Sequence, residues 1–150
     1  MKNTLLPAAT ILAFAFLLAC NKEDQAEIDR ALIVQYVADN NLNATEHSSG
    51  IFYVIETPGS GGSPTLNDQV TVRYKGYYLD GVVFDQTNGS ETVKFRLGDL
   101  IEGWKIAIPL LQKDGKGLFI IPSALAYGSN PPFGVRANAV MAFEIELVDF

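Results

Sequence analysis

Cysteine and histidine occur once each in the 150 residues, as Cys20 and His47. A lone cysteine excludes an intrachain disulfide and a multi-cysteine metal site, and a lone histidine excludes a two-histidine site, so neither metal nor cofactor is expected. Basic residues are scarce as well, eleven against seventeen acidic ones for a net charge of -6, and they form no stripe. Such a surface repels phosphate, which excludes nucleic acid as a partner. A phosphate cradle is missing too, because the glycines within residues 58–64 are followed by no Gly-Lys-Ser/Thr and by no opening helix. Long apolar runs are absent: the run over residues 5–19 contains Pro7 and Thr10 and falls below the ~20 residues of a membrane span.

What is present is apolar. Hydrophobic residues make up 48% of the chain and aromatic residues 11%, enough to supply the core of one domain with an appendage. Lys2 followed by the run to Ala19 suits a secretory signal peptide over residues 1–19. The run ends Leu17-Leu18-Ala19-Cys20, which resembles the lipobox of bacterial lipoproteins. That resemblance implies cleavage before Cys20, acylation of this residue, and membrane attachment through its lipid at ~0.8 kcal/mol per buried methylene. It further implies a place in the bacterial cell envelope, as an outer-membrane lipoprotein facing either the periplasm or the surface. Loss of Lys2 with the signal leaves ten basic against seventeen acidic residues, a net -7.

Residues 25–40 space Ile28, Leu32 and Tyr36 four apart with Ile33 and Val37 alongside. This predicts an amphipathic helix that packs on the main domain or on a second copy of itself. Asn40, Asn41 and Asn43 stop it, and residues 42–50 read as a polar linker with an exposed His47. Residues 20–50 are therefore expected to form a lipid-anchored tether and helix. From residue 51 the texture is β. Strands are expected over 51–56, 70–79, 82–85, 92–97, 117–121 and 141–149, in a sheet of about five antiparallel strands. Asp80-Gly81 signals a hairpin, Asp114-Gly115 a turn, and residues 123–138 a long functional loop. Between them, residues 98–111 read as a short helix with Asp99 as N-cap, Glu102 completing a capping box, and Pro109 ending it. Its Leu100, Ile101, Trp104, Ile106 and Ile108 cover more than one face, so strands must wrap it. The expected class is α+β: a curved antiparallel half-barrel sheet around one short helix, preceded by an N-terminal amphipathic helix.

Six short motifs punctuate residues 51–150. They are Val70-Thr-Val-Arg-Tyr74-Lys-Gly76, Asp80-Gly81-Val-Val-Phe84-Asp85, Phe95, Ile101-Glu-Gly103-Trp104, Ala126-Tyr127-Gly128 and Phe143-Glu-Ile-Glu-Leu147. In this order and approximate spacing they resemble the FKBP-type peptidyl-prolyl cis/trans isomerases, and a helix after a lipobox is similar to the small lipoprotein members of that family. The resemblance implies an FKBP-like domain with rotamase activity toward proline-containing unfolded or peptide segments of extracytoplasmic proteins. It implies a proline pocket walled by Tyr74, Phe84, Phe95 and Phe143 and floored by Trp104. Leu100 and Ile101 stand at two aliphatic positions, and the Ile101 amide would donate to a substrate carbonyl. The Tyr127 hydroxyl would bond the substrate, Asp85 would face the twisting carbonyl, and Val135 would add an aliphatic contact.

Departures accompany the match. Arg73 stands before Tyr74 and points away from the pocket if the strand alternates; Tyr78 replaces a leucine; Gln86-Thr87 replaces two serines. The resemblance also brings macrolide binding, but Gly134 and Val135-Arg136-Ala137-Asn138 thin one wall, which weighs against macrolide affinity more than against catalysis.

The chemistry suits these residues. Rotation about an Xaa-Pro bond breaks no covalent bond; its barrier of ~18–20 kcal/mol is lost amide resonance. An apolar box lowers it because the twisted amide has the smaller dipole and loses less on desolvation. Two other readings remain at this point: a non-catalytic proline-binding chaperone and a carrier for an apolar small molecule.

Overall fold

The computed structural model describes residues 21–150; the signal peptide over 1–19 and the lipidation residue Cys20 lie outside the described residues. The chain runs through α1 (Asn21–Asp39), β1 (Thr45–Glu46), β2 (Phe52–Thr57), β3 (Gln69–Tyr78), β4 (Val83–Gln86), β5 (Val93–Arg96), α2 (Glu102–Ala107), β6 (Gly115–Ile121) and β7 (Met141–Asp149). The strands make one antiparallel sheet in the order β1-β2-β6-β7-β3-β4, with β5 also on β3. All six expected strand ranges are found, as β2 to β7, and a seventh strand is added. The added strand is the two-residue β1, which pairs Thr45 with Tyr53 and Glu46 with Phe52. Residues 42–50 are therefore tied into the sheet edge and do not form a free linker. His47 is half-buried there, its Nδ1 2.9 Å from Ser49 Oγ.

β3 is the spine. One edge pairs with β7 along its length, while the other is shared by β5 against Gln69–Val72 and β4 against Lys75–Tyr77. The β3–β4 hairpin turns at Gly81, whose φ of +85° is a backbone state that glycine adopts without a Cβ penalty. The turn is closed by Gly81 N–H to the Tyr78 carbonyl at 2.8 Å and Tyr78 N–H to the Val82 carbonyl at 3.0 Å.

Period two then sorts side chains between two cores. On the concave face Val70, Val72, Phe119, Ile121, Met141, Phe143, Ile145 and Leu147 pack with Trp104, Ala107, Ile108 and Leu111 from the helical segment. On the opposite face Phe52, Tyr77, Leu118, Ile120 and Ala142 pack with Ile33 of α1. At six residues α2 is too short to hold itself together. It is held by burial, and a fully buried aliphatic such as Ile108, at 0% exposure, contributes about 1.5–3 kcal/mol.

Two local expectations are corrected. Asp99 does not cap α2: it lies in a 3-10 turn over Leu97–Asp99, and α2 opens only at Glu102, with an extended Ile101 as N-cap and no side-chain cap bond. Leu100 is extended as well, so the run of apolar residues that reads as continuous helix is broken where it meets the cleft. Pro109 sits in the 3-10 turn Ile108–Leu110 that follows α2, where its missing N–H costs nothing. In α1 the seam is rotated by one residue. Ile28 and Leu32 are exposed at 52% and 49%, and the inward stripe is Asp29, Ile33, Tyr36 and Val37. A carboxylate at 29 disguised that face, since an aspartate reads as surface.

Candidate active site

Several elements deliver one cleft of about 210 Å³. β3 supplies Tyr74, β4 supplies Phe84 and Asp85, and β5 supplies Phe95. The extended step before α2 supplies Leu100 and Ile101, α2 supplies Trp104, β7 supplies Phe143, and the loop after β6 supplies Tyr127. These nine were all expected at the pocket. Val135 is not among the lining residues: it is half-buried against the main core. Its loop is pinned at two points. The Val135 N–H turns back to the Pro132 carbonyl at 3.1 Å, and the next residue is locked onto the β3–β4 hairpin. There the Arg136 N–H donates to Tyr78 Oη at 3.0 Å, its guanidinium lies 4.2 Å from the Tyr78 ring centroid, and it reaches Asp80 at 2.7 Å. Tyr78 in place of a leucine thus serves the loop, while Arg73 lies away from the cleft and pairs with Glu146 at 2.6 Å.

The rings form a box on a floor. Tyr74, Phe95 and Phe143 stand at 84°, 81° and 88° to the Trp104 plane, with centroids 5.1, 6.1 and 5.4 Å away. Phe84 meets Phe143 at 85° and closes a corner. Edge-to-face contacts of this kind add about 0.5–1.5 kcal/mol each beyond burial, so the walls brace the floor. Trp104 is 4% exposed, and its Nε1–H is buried without a hydrogen-bond partner among the described residues. An orphaned donor costs about 1–3 kcal/mol, a concession tolerated here for a broad apolar floor.

Polar groups are few and sit at the rim. Tyr74 Oη donates to Asp85 Oδ2 at 2.5 Å. Burial first, and then the bond to the Asp85 carboxylate, push the Tyr74 hydroxyl well above its ordinary titration range. Burial and the nearby Asp85 charge raise Tyr127 in the same direction. A raised tyrosine pKa keeps the proton on, so both hydroxyls remain donors at every pH below their usual ~10. Ile101 lines the cleft one residue before α2, and its N–H has no acceptor among the described residues.

Two supports were not singled out by role in the sequence. Gly76 lies behind the walls, where a Cβ would come within 2.8 Å of Phe84 and 2.9 Å of Phe143. Thr87 bridges the gap between β4 and β5: its N–H donates to the Tyr74 carbonyl at 3.0 Å and its Oγ1 accepts from the Tyr74 N–H at 3.2 Å. Gly76 was visible as part of a motif, but the contact that requires it is made across strands; Thr87 stood out only as a replacement for a family serine, with no sign of its bonds to Tyr74.

A family model described as FKBP-type peptidyl-prolyl cis-trans isomerase matches residues 61–148. The FKBP-type peptidyl-prolyl cis-trans isomerase FkpA of Buchnera aphidicola (subsp. Acyrthosiphon pisum) is 39% identical over 103 residues, 68% of this chain and 43% of that protein. FkpA of Escherichia coli K12 is 37% identical over 103 residues, again 68% of this chain and 38% of that protein. The chain thus spans about two fifths of the length of these curated relatives. Among solved structures, FkpA from Escherichia coli superposes with a TM-score of 0.74 at 31% identity, covering 85% of this chain and 61% of that one. A peptidyl-prolyl cis-trans isomerase from Pseudomonas syringae pv. tomato gives 0.73 at 31% identity, covering 87% of this chain and 96% of that one.

Proposed function

This chain belongs to the FKBP-type peptidyl-prolyl cis-trans isomerase family, and from that membership we propose that it accelerates Xaa-Pro isomerisation in extracytoplasmic proteins and so assists their folding. The observation that carries this reading is the perpendicular stacking of three rings on Trp104, which leaves an open apolar cleft with room for a prolyl ring. With the ring seated, the amide carbonyl leaves water. The planar amide loses more by that transfer than the twisted one, whose dipole is smaller, so the barrier falls. The Ile101 N–H and the Tyr127 hydroxyl hold carbonyls flanking the proline, and Asp85, oriented by the Tyr74 hydroxyl, faces the rotating group. No nucleophile is required, since no covalent bond breaks.

The test is cis/trans exchange of a short Xaa-Pro peptide, which alone takes tens to hundreds of seconds, followed by NMR line shape or a coupled protease. Wild-type chain at micromolar concentration is expected to accelerate it. Tyr127→Phe and Asp85→Asn are each expected to lower kcat/KM about tenfold, or about 1.4 kcal/mol of transition-state stabilisation, with peptide affinity nearly unchanged. Binding without acceleration by the wild type would instead make this a proline-binding holdase.

The proposal includes an envelope location through a lipid on Cys20, supported by Leu17-Leu18-Ala19-Cys20 and its apolar leader. Cells fed labelled palmitate are expected to label the wild-type chain and not Cys20→Ser; equal labelling of both would refute the anchor.

A further inference from the structure

α1 carries a buried carboxylate that the cleft does not use. Asp29 and Ser123 are each 1% exposed, and they are partners across 94 residues of sequence. Asp29 Oδ2 accepts from the Ser123 N–H at 2.7 Å and from its hydroxyl at 2.6 Å, while Oδ1 accepts from Gln25 Nε2 at 2.7 Å. Burying a carboxylate is costly even when donors satisfy it, and an apolar residue would fill the same seam between α1 and the domain. What the carboxylate adds is a directed hold on one backbone amide. That amide has no acceptor in its own element, because Ser123 is the first residue of a 3-10 turn that follows Pro122.

Ser123 in turn governs Tyr127. Its carbonyl accepts from the Ala126 N–H at 3.1 Å and from the Gly128 N–H at 2.9 Å, the two amides on either side of the tyrosine. The Gly128 carbonyl then accepts from the Asn138 N–H at 2.8 Å and closes the loop on itself. Tyr127 is 39% exposed, so its aim depends on this backbone frame.

We propose that Asp29 is a positioning residue for the cleft: the N-terminal helix clamps the base of the 123–138 loop through Ser123 and thereby fixes the hydroxyl of Tyr127. The clamp rests on the isomerase reading for its effect on rate, and on geometry alone for its effect on the loop.

Two measurements on the full chain test it. In the first, amide exchange by NMR in Asp29→Ala is expected to rise about tenfold at Gly128 and Asn138, while Phe143 and Ile145 of β7 stay within about threefold of wild type. In the second, a double-mutant cycle, Asp29→Ala is expected to cost about tenfold in kcat/KM in the wild-type background and only about twofold when Tyr127 is already phenylalanine. Asp29→Asn is expected to restore most of the rate. Its oxygen accepts both Ser123 donors, and the Gln25 amide, turned over, accepts from the new NH2. If Asp29→Ala does not fold, Ser123→Ala replaces it in both arms, with about threefold effects of the same pattern. Equal losses in both backgrounds, or unmoved exchange at Gly128, overturn the clamp. A wild-type chain that accelerates nothing overturns the isomerase reading instead, and the exchange arm then decides the clamp by itself.

Discussion

Trp104→Ala is expected to lower kcat/KM for a short Xaa-Pro peptide by about 100-fold and the unfolding free energy by about 3–5 kcal/mol. Both effects have one origin. The indole is 4% exposed, and three rings rest on it nearly at right angles. Deleting it removes the surface against which a prolyl ring would lie and takes the footing from Tyr74, Phe95 and Phe143 together. Collapse of those walls into the gap would recover part of the stability and none of the activity, because a filled cleft excludes substrate. Urea unfolding followed by tyrosine fluorescence reads the first quantity and the peptide exchange assay reads the second. Activity within twofold of wild type would mean that the chemistry happens somewhere other than on this floor.

Gly76→Ala separates the two effects that Trp104→Ala mixes. A methyl at position 76 would come 2.8 Å from Phe84 Cζ and 2.9 Å from Phe143 Cε1, closer than carbon atoms pack. Both rings are walls, and each already abuts the other at 5.6 Å. The cheapest relief is for them to swing into the open cleft, where nothing resists. Overpacking of this kind costs about 1–3 kcal/mol in stability. Narrowing the cleft is expected to cost about 30-fold in kcat/KM, equivalent to about 2 kcal/mol in the transition state. The outcome that would refute it is a destabilised protein with undiminished kcat/KM, which would show the walls yielding outward. A crystal structure of the variant would then show the two rings displaced away from Trp104.

Legibility in the sequence followed the range of the interactions. The strands of residues 51–149 were readable because period two is a local property: Val70, Val72 and Tyr74, or Met141, Phe143, Ile145 and Leu147, declare a face wherever they lie. The hairpin at Asp80-Gly81 was equally local, since a positive φ asks for glycine. The nine residues of the cleft were readable for a different reason, as motifs in an order and spacing shared with a family, and not from any period. Val135 packs against the main core and not on the cleft, in a loop that Tyr78, Asp80 and Arg136 pin in a way that only the folded chain displays.

Composition and local period by themselves determined that this chain builds an antiparallel sheet around a short apolar helix. Tertiary structure alone decided which face of α1 turns inward, where α2 begins, why Gly76 tolerates no side chain, and that Asp29 reaches Ser123. Each of these is set by a contact between segments far apart in the chain. A residue's identity advertises its own preferences but not its partner, and burial of a carboxylate or closure of a cleft depends on the partner.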